Sequence, residues 1–511
     1  MALRVYNTFT GRKEEFVTRD PGRVAMYVCG ITPYDRAHVG HARSYVAFDV
    51  IRRYLERSGY QVKMIENITD IDDKIIARSQ ERNIDWRALV ADQTEAFLKA
   101  MDSLGIQRAD LYPMATEHIP GIIEMVAGLI EKGFAYEVEG DVYFEVRKFP
   151  GYGKLSKRKL DDQLPGARVA IDERLRDPRD FALWKSAKPG EPSWESPWGP
   201  GRPGWHIECS VMSLKHLGMD FDIHGGGSDL IFPHHEDEIA QSEAYTGESP
   251  LCRYWLHTGW LTLHKEKMSK SLGNFFTVEE VGAKFPLAVI RYFLVATHYR
   301  TQLEFSDASL TEAQSAFERI AILAKRVRDL LAAPAEAGES APSPLREYSP
   351  ATRQAFREAM DDDFNTPRAL GALFTFVTQV NEIINTPGFV LTAGAQAELR
   401  DVQDCLTEVG DVLGLPLGPE AAPITAGPSA EAKAQLLADL RGLTAGKEQA
   451  AAALGEDLAD DLDRLVRAAI SLRRQARADK DWKIADGIRD LLASAGIVLE
   501  DFPEGTSWRL R

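Results

Sequence analysis

The stretch from Val24 to Ile65 constrains the fold most. Val24–Cys29 is a short apolar, β-prone run, a glycine-containing turn follows, and Ala42–Arg57 repeats its apolar residues at helical spacing. Gly59 ends that helix, and Val62–Ile65 reads as the next strand. Strand, helix and strand in this order predict a βαβ unit in a parallel sheet. Such sheets bind ligands in the crevice outside the carboxyl ends of their strands.

The rest of the chain divides by pattern. Residues Ala115–Pro203 look like an insertion, with a helix near Ile122–Lys132, a β-prone run Asp141–Val146 and a closing Pro/Gly/Trp-rich loop, Pro189–Trp205. The stretch Trp205–Asn274 returns to the first fold. After Phe285 the chain turns helical, broken at Ala332–Pro350 and Gly414–Ser429, both of which read as exposed linkers. Leu458–Ser494 is helical again, and Ile497–Leu510 suggests a strand-turn-strand ending.

At 511 residues the chain exceeds what one core usually serves, so about three or four domains are expected. With 44% hydrophobic and 27% charged residues it has the composition of an ordinary soluble protein. No run of about 18 apolar residues suggests a membrane span, and Met1–Phe16 carries Arg12, Lys13, Glu14 and Glu15 in place of an apolar signal segment. The expected compartment is the cytoplasm. Four cysteines, Cys29, Cys209, Cys252 and Cys405, are too few for a disulfide framework and read as free thiols or metal ligands. The net charge of −16 disfavours a generic nucleic-acid binder but leaves room for a local basic stripe.

Two short motifs carry chemistry. His38-Val39-Gly40-His41 stands between strand and helix, where free backbone N–H groups and the helix field suit a phosphate. Its histidines suit charge developing on an α-phosphate. Lys267-Met268-Ser269-Lys270-Ser271 puts two lysines on a glycine-containing loop, which suits a mobile clamp on pyrophosphate. Either motif alone reads as readily as local structure or a solvated basic loop. No GxxxxGK[ST] loop is present, which disfavours a P-loop ATPase.

The paired motifs resemble the signatures of class I aminoacyl-tRNA synthetases, with Val39 where the family usually has isoleucine. A further set, Cys29, Cys209, His234 and Glu238, offers two thiolates, an imidazole and a carboxylate, a plausible zinc set. In the arrangement YVCGIT…GWHIECS…FPHHEDEIAQ, the chain is similar to the cysteinyl-tRNA synthetases. That resemblance implies a zinc ion, one per chain, that binds the substrate thiolate. Serine and cysteine are near-isosteres that a plain pocket separates poorly, whereas zinc prefers a thiolate.

The same resemblance implies the remaining assignments. ATP enters with Mg²⁺, the other partners are L-cysteine and tRNA(Cys), and neither a membrane nor a disulfide partner is expected. His38, His41, Lys267 and Lys270 are catalytic. Gly40, Gly226, Asp229 and Lys270 bind the nucleotide, and Thr69, Trp205 and His206 line the substrate pocket. Arg473, Arg474 and Trp482 contact tRNA. Asp70, Asp72, Asp73 and Asp361–Asp363 receive no role. The implied fold is α/β: a Rossmann-like catalytic domain (1–114 and 204–264) split by a connective insertion (115–203). A KMSKS-bearing segment (265–331), a helical bundle (332–413) and a C-terminal anticodon-binding domain (430–511) follow. Two other readings compete: a paralogue that joins activated cysteine to a small amine, and a non-catalytic zinc- or RNA-binding paralogue. The segment after Ser429 argues against the first, and the four intact motif residues against the second.

Overall fold

The computed structural model describes residues 2–158, 174–263, 266–268, 275–336, 345–421, 430–445, 453–455, 458, 462–502 and 505–510. The chain divides into two compact units, Met1–Ala421 and Ala422–Arg511.

The core of the first unit is a four-stranded, all-parallel sheet. It comprises β1 (Arg23–Ile31), α1 (Val39–Arg57), β2 (Gln61–Ile68), α2 (Trp205–Leu217), β3 (Phe221–Gly227), α3 (Glu236–Thr246) and β4 (Cys252–Thr258). The spatial order is β4-β3-β1-β2. The chain therefore moves to one side of β1 for β2 and to the other side for β3. Such a reversal is where a parallel sheet generally offers a crevice, here at the carboxyl ends of β1 and β3. The strands are buried on both faces, as a helix-covered parallel sheet requires: Val24, Met26, Tyr27, Val28 and Ile223 are 0–1% exposed.

The pairing of β1 with β2 shifts register between Val28 and Ile31. Gly30 lies at that shift, and a Cβ there would stand 1.6 Å from the Asn67 carbonyl oxygen. Gly225 is required in the same way, because the Phe48 ring of α1 packs directly on it. Buried Arg43 of α1 donates to the Thr297 and His298 carbonyls, tying α1 to the turn after the helix Leu287–Val295.

The insertion forms a separate antiparallel sheet of Ala135–Val138, Asp141–Phe144, Phe181–Ser186 and Gly201–Pro203. Its helix, Ile119–Glu131, and the strand Asp141–Phe144 stand where the pattern placed them. Helices follow Phe285, among them Asp307–Ala332, Leu345–Met360, Thr366–Ile384 and Ala393–Leu413.

Two expected linkers, Ala332–Pro350 and Gly414–Ser429, are ordered in the parts that are described, and residues 337–344 of the first lie outside the described residues. Leu345–Met360 is a helix despite Pro350, because Leu345, Ser349, Thr352, Phe356 and Ala359 form one buried face whose packing outweighs the proline. Gly414 closes the preceding helix in the left-handed conformation, and Leu415 and Leu417 are buried, so that linker begins packed. Residues 422–429 lie outside the described residues.

In the second unit the helices Ala430–Leu443, Leu462–Ala478 and Trp482–Ser494 enclose Leu436, Leu440, Leu465, Ala469, Ile488 and Leu492. Ile497–Phe502 and Gly505–Leu510 pair as an antiparallel hairpin, as the ending suggested. Among the described residues no helix is long and apolar enough to cross a membrane.

Candidate active site and metal centre

His38 ends the loop after β1 and caps α1. Its ring Nδ1 accepts the His41 backbone N–H at 3.2 Å, so in the neutral ring the proton resides on Nε2. The two imidazoles stack at 3.7 Å with 16° between planes. Gly40 makes this possible: a Cβ there would lie 2.8 Å from His38 Nδ1.

The second motif joins the first through backbone. Glu266–Lys267 pairs with Leu261–Leu263, and Met268 N–H donates to the Leu261 carbonyl at 2.9 Å. Beyond the loop, Val39 N–H donates to the Phe276 carbonyl at 3.0 Å, and His38 bridges Thr277. Residues 269–274, with Lys270, lie outside the described residues, as does the Lys267 side chain.

Cys29, Cys209, His234 and Glu238 converge. Each contributes one donor atom, all four atoms lie within 4.8 Å of one another, and all four side chains are buried. Cys29 Sγ is 4.0 Å from Cys209 Sγ and 3.6 Å from Glu238 Oε1, and His234 Nε2 is 3.0 Å from Glu238 Oε1. Cys29 stands at the end of β1, Cys209 in the second turn of α2, and Glu238 in the first turn of α3. His234 lies in the turn before α3, so the i,i+4 spacing brings it over Glu238 although the helix proper begins at Glu236.

The electrostatics are those of a cation site. Burial, reinforced by Cys209 and Glu238, pushes the Cys29 thiol well up. The hydrogen bond from Cys29 outweighs burial at Cys209 and brings that thiol down to about 6, so the pair favours one thiolate. Burial raises the Glu238 carboxyl less than His224 and His234 lower it, leaving it well below the usual range. At His234 burial is overcome by Glu238 and Cys209, which carry the ring up to about 10. Sulfur and carboxylate donors this close, enclosed and largely anionic, fit a bound zinc ion in number, type and burial.

Sequence reasoning left other residues here unassigned. His224 Nε2 is 2.8 Å from Glu238 Oε2, His235 Nε2 is 3.3 Å from Cys29 Sγ, and His257 stands 2.8 Å behind His235. Cys29, His224, His235 and Glu238 also form a compact donor set. The density of histidine around HGGGSD, FPHHEDE and LHTGW was the signal that could have marked them.

The remaining site candidates distribute as follows. Thr69 follows β2, donates its N–H to the Ile31 carbonyl at 2.9 Å and takes the Asn67 amide on its hydroxyl at 3.2 Å. Trp205 opens α2, is 40% exposed and packs 4.5 Å from the His234 ring. His206 is engaged at both nitrogens, with His234 at 2.9 Å and Asp237 at 3.3 Å, so it stands behind a ligand of the metal set. Gly226 nears the end of β3, where a Cβ would press on Leu230 and His235, and Asp229 is exposed in the following turn.

In the second unit Arg474 and Trp482 are exposed, Trp482 by 56%. Arg473 differs from the expected contact surface: it is 6% exposed, on the same inward face as Val466, Ala469 and Ala476. The helical repeat that turns Ala469 and Ala476 inward carries Arg473 with them. Several of the aspartates without an assigned role make local hydrogen bonds. Asp72 caps the helix Asp73–Arg82, Asp70 accepts Thr116, and fully buried Asp363 receives the Tyr6 N–H and the Tyr299 hydroxyl.

Residues 15–315 match the family model described as tRNA synthetases class I (C) catalytic domain, and residues 355–418 match the DALR domain. The cysteine--tRNA ligase of Pelotomaculum thermopropionicum is 48% identical over 507 residues, covering 99% of each chain. That of Heliobacterium modesticaldum is 48% identical over 515 residues and covers 100% of both. Among solved structures, Mycobacterium tuberculosis methionyl-tRNA synthetase in complex with methionyl-adenylate superposes with a TM-score of 0.59 at 17% identity, over 78% of this chain and 92% of that one. The last likeness speaks to fold alone. With the catalytic-domain model matched over most of the chain and the relatives aligned from end to end, the chain belongs to the cysteine–tRNA ligase family of class I synthetases.

Proposed function

We propose that the protein activates L-cysteine with ATP and transfers it to the terminal adenosine of tRNA(Cys), in the cytoplasm. The observation that carries this reading is the convergence of Cys29, Cys209, His234 and Glu238 in the same crevice-bearing sheet whose next helix begins with His38 and His41. The reaction begins when a cysteine carboxylate oxygen attacks the ATP α-phosphorus and the bond to pyrophosphate breaks. The adenylate then acylates a ribose hydroxyl of the tRNA, releasing AMP. A carboxylate is already nucleophilic, so positioning and charge stabilisation carry the rate.

His38 donates through Nε2 toward the α-phosphate, with its tautomer held by the His41 amide. Gly40 keeps the backbone close, Gly226 and Asp229 contact the nucleoside, and Mg²⁺ accompanies the ATP. Lys267 and Lys270 follow the departing pyrophosphate. Thr69 and Trp205 bound the amino-acid pocket, and His206 supports it from behind His234. When bound at Cys29, Cys209, His234 and Glu238, zinc supplies a Lewis acid that favours a thiolate over a hydroxyl. The outward-facing Arg474 and Trp482 contact the anticodon arm, and Arg473 supports that helix from within.

Cysteine-dependent exchange of pyrophosphate into ATP, followed by charging of tRNA(Cys), tests the reading. No exchange from metal-loaded protein would overturn it.

A further inference from the structure

The metal ligand His234 is joined by a chain of polar contacts to the connective insertion. His234 turns Nε2 toward Glu238 Oε1 at 3.0 Å and Nδ1 toward His206 Nδ1 at 2.9 Å. His206 Nε2 faces Asp237 Oδ2 at 3.3 Å. Asp237 Oδ1 accepts the Tyr152 hydroxyl at 2.5 Å. His234 and Asp237 are 2% and 1% exposed, so this chain runs through the protein interior.

The proton positions along the chain have one consistent assignment once Nε2 of His234 ligates a metal. Nδ1 of His234 must then carry the proton and donate it to Nδ1 of His206, which accepts. His206 is left with its proton on Nε2, the nitrogen that faces Asp237 Oδ2 at 3.3 Å in an electrostatic contact short of a hydrogen bond. The Tyr152 hydroxyl, which has a proton to give, completes the other carboxylate oxygen. Two of the contacts, His234 to His206 and Tyr152 to Asp237, pair one donor with one acceptor, and the electrostatic contact of His206 with Asp237 links them.

Tyr152 is held where this chain needs it. The buried carboxylate of Glu236 accepts the backbone N–H groups of Gly153 at 2.9 Å, Leu155 at 3.1 Å and Ser156 at 2.7 Å. Lys154 pairs with Glu243. The loop Gly151–Ser156 of the insertion is thus clamped to the first turns of α3, the helix that supplies Glu238.

We propose that Tyr152, Asp237 and His206 are positioning residues for the metal: they hold His234 in the tautomer and orientation that ligate zinc, so the insertion helps set metal affinity. The proposal rests on the assignment of zinc to Cys29, Cys209, His234 and Glu238. Hydrogen bonds that hold a ligating imidazole from its far side ordinarily contribute 10–100-fold in metal affinity.

The test compares the full-length protein with Asp237→Asn and Tyr152→Phe. Zinc affinity is read by competition with a chelating dye, ligand geometry by the visible spectrum of the cobalt(II) form, and stability by melting of metal-loaded and metal-depleted protein. Asp237→Asn, which acts on His234 only through His206, is expected to weaken zinc binding by roughly 10-fold, the low end of that range. Tyr152→Phe, which keeps the ring and removes one hydrogen bond, is expected to weaken it roughly 5-fold. Both should alter the cobalt spectrum. Tyr152→Phe should lower the melting temperature of the loaded form more than that of the depleted form, which loses the same hydrogen bond but no metal affinity. If the parent protein takes up no zinc, the metal assignment falls and the proposal with it. If the parent protein binds zinc tightly and both variants bind it equally well, with an unchanged spectrum, the metal assignment stands and the positioning role is wrong. Equal loss of melting temperature with and without metal, at unchanged affinity, would also overturn it.

Discussion

The backbone N–H of Val39 donates to the carbonyl oxygen of Phe276 across 3.0 Å. One hydrogen bond thus joins the turn bearing His38 and His41 to the residue just beyond the KMSKS loop. On the other side of that loop, Met268 is bonded to Leu261. The loop is anchored at both ends, which suits lysines that must follow a leaving group while their attachment stays fixed.

Lys270→Ala should therefore slow adenylate formation by on the order of 100-fold while leaving cysteine binding nearly unchanged. Single-turnover activation compared with equilibrium binding of cysteine checks this. A variant that loses cysteine affinity but keeps its rate at saturation would place Lys270 in ground-state binding.

Gly40→Ala removes a conformationally costly glycine from the first turn of α1, a change that by itself favours the helix by about 0.5–1 kcal/mol. The added methyl would stand 2.8 Å from the His38 ring, which must then move. Activity in pyrophosphate exchange should fall at least 10-fold with little change in melting temperature. Unaltered exchange would mean that the placement of His38 is immaterial to activation.

Metal and selectivity should fall together. Purified protein should contain one zinc per chain, and Cys209→Ser should weaken its retention, because one of two sulfur donors is lost. Serine should support far less exchange than cysteine. Equal exchange with the two amino acids would remove the zinc–thiolate argument.

Glu66 gives a pH dependence of stability. Burial, only partly offset by the attraction of Arg108, raises its carboxyl to about 8. In the unfolded chain the group titrates near the ordinary value of about 4.3. The folded state therefore holds a proton that the unfolded state has released, and stability falls as pH rises from about 4 to about 8. Glu66→Gln removes this loss. The variant should melt above the parent at pH 8, by the equivalent of about 1–3 kcal/mol, with the gap closing toward pH 4. Melting temperatures across this range check it, and a gap that widens on acidification would reverse the assignment.

Truncation within 422–429 should spare most cysteine-dependent exchange, since no activation motif lies beyond it, and sharply weaken charging of tRNA(Cys). Trp482, 56% exposed at the start of its helix, should account for part of the loss when replaced by alanine. If the truncated protein charges tRNA(Cys) as well as the intact one, the C-terminal unit does not read tRNA and the small-amine ligase becomes the better reading.

Local sequence determined the elements that local forces decide. The apolar runs and helical periodicity of Val24–Ile65 specified strand, helix and strand, and Gly59 marked the turn between the last two. His38 and Gly40 were readable as a helix start because a cap and a close approach are short-range devices. The resemblance in three motifs supplied the ligand set, which spacing could not: Cys29 and Cys209 are separated by 180 residues and meet only because β1 and α2 pack in one core. The tertiary structure alone decided where ambiguous side chains point. It turned Arg473 inward, kept Pro350 inside a helix, engaged both nitrogens of His206 and wrapped three amides around Glu236. Each of these outcomes depends on what a distant segment presents to the residue. Periodicity along the chain records only that a face is to be covered, and the covering segment determines which polar groups on that face find partners.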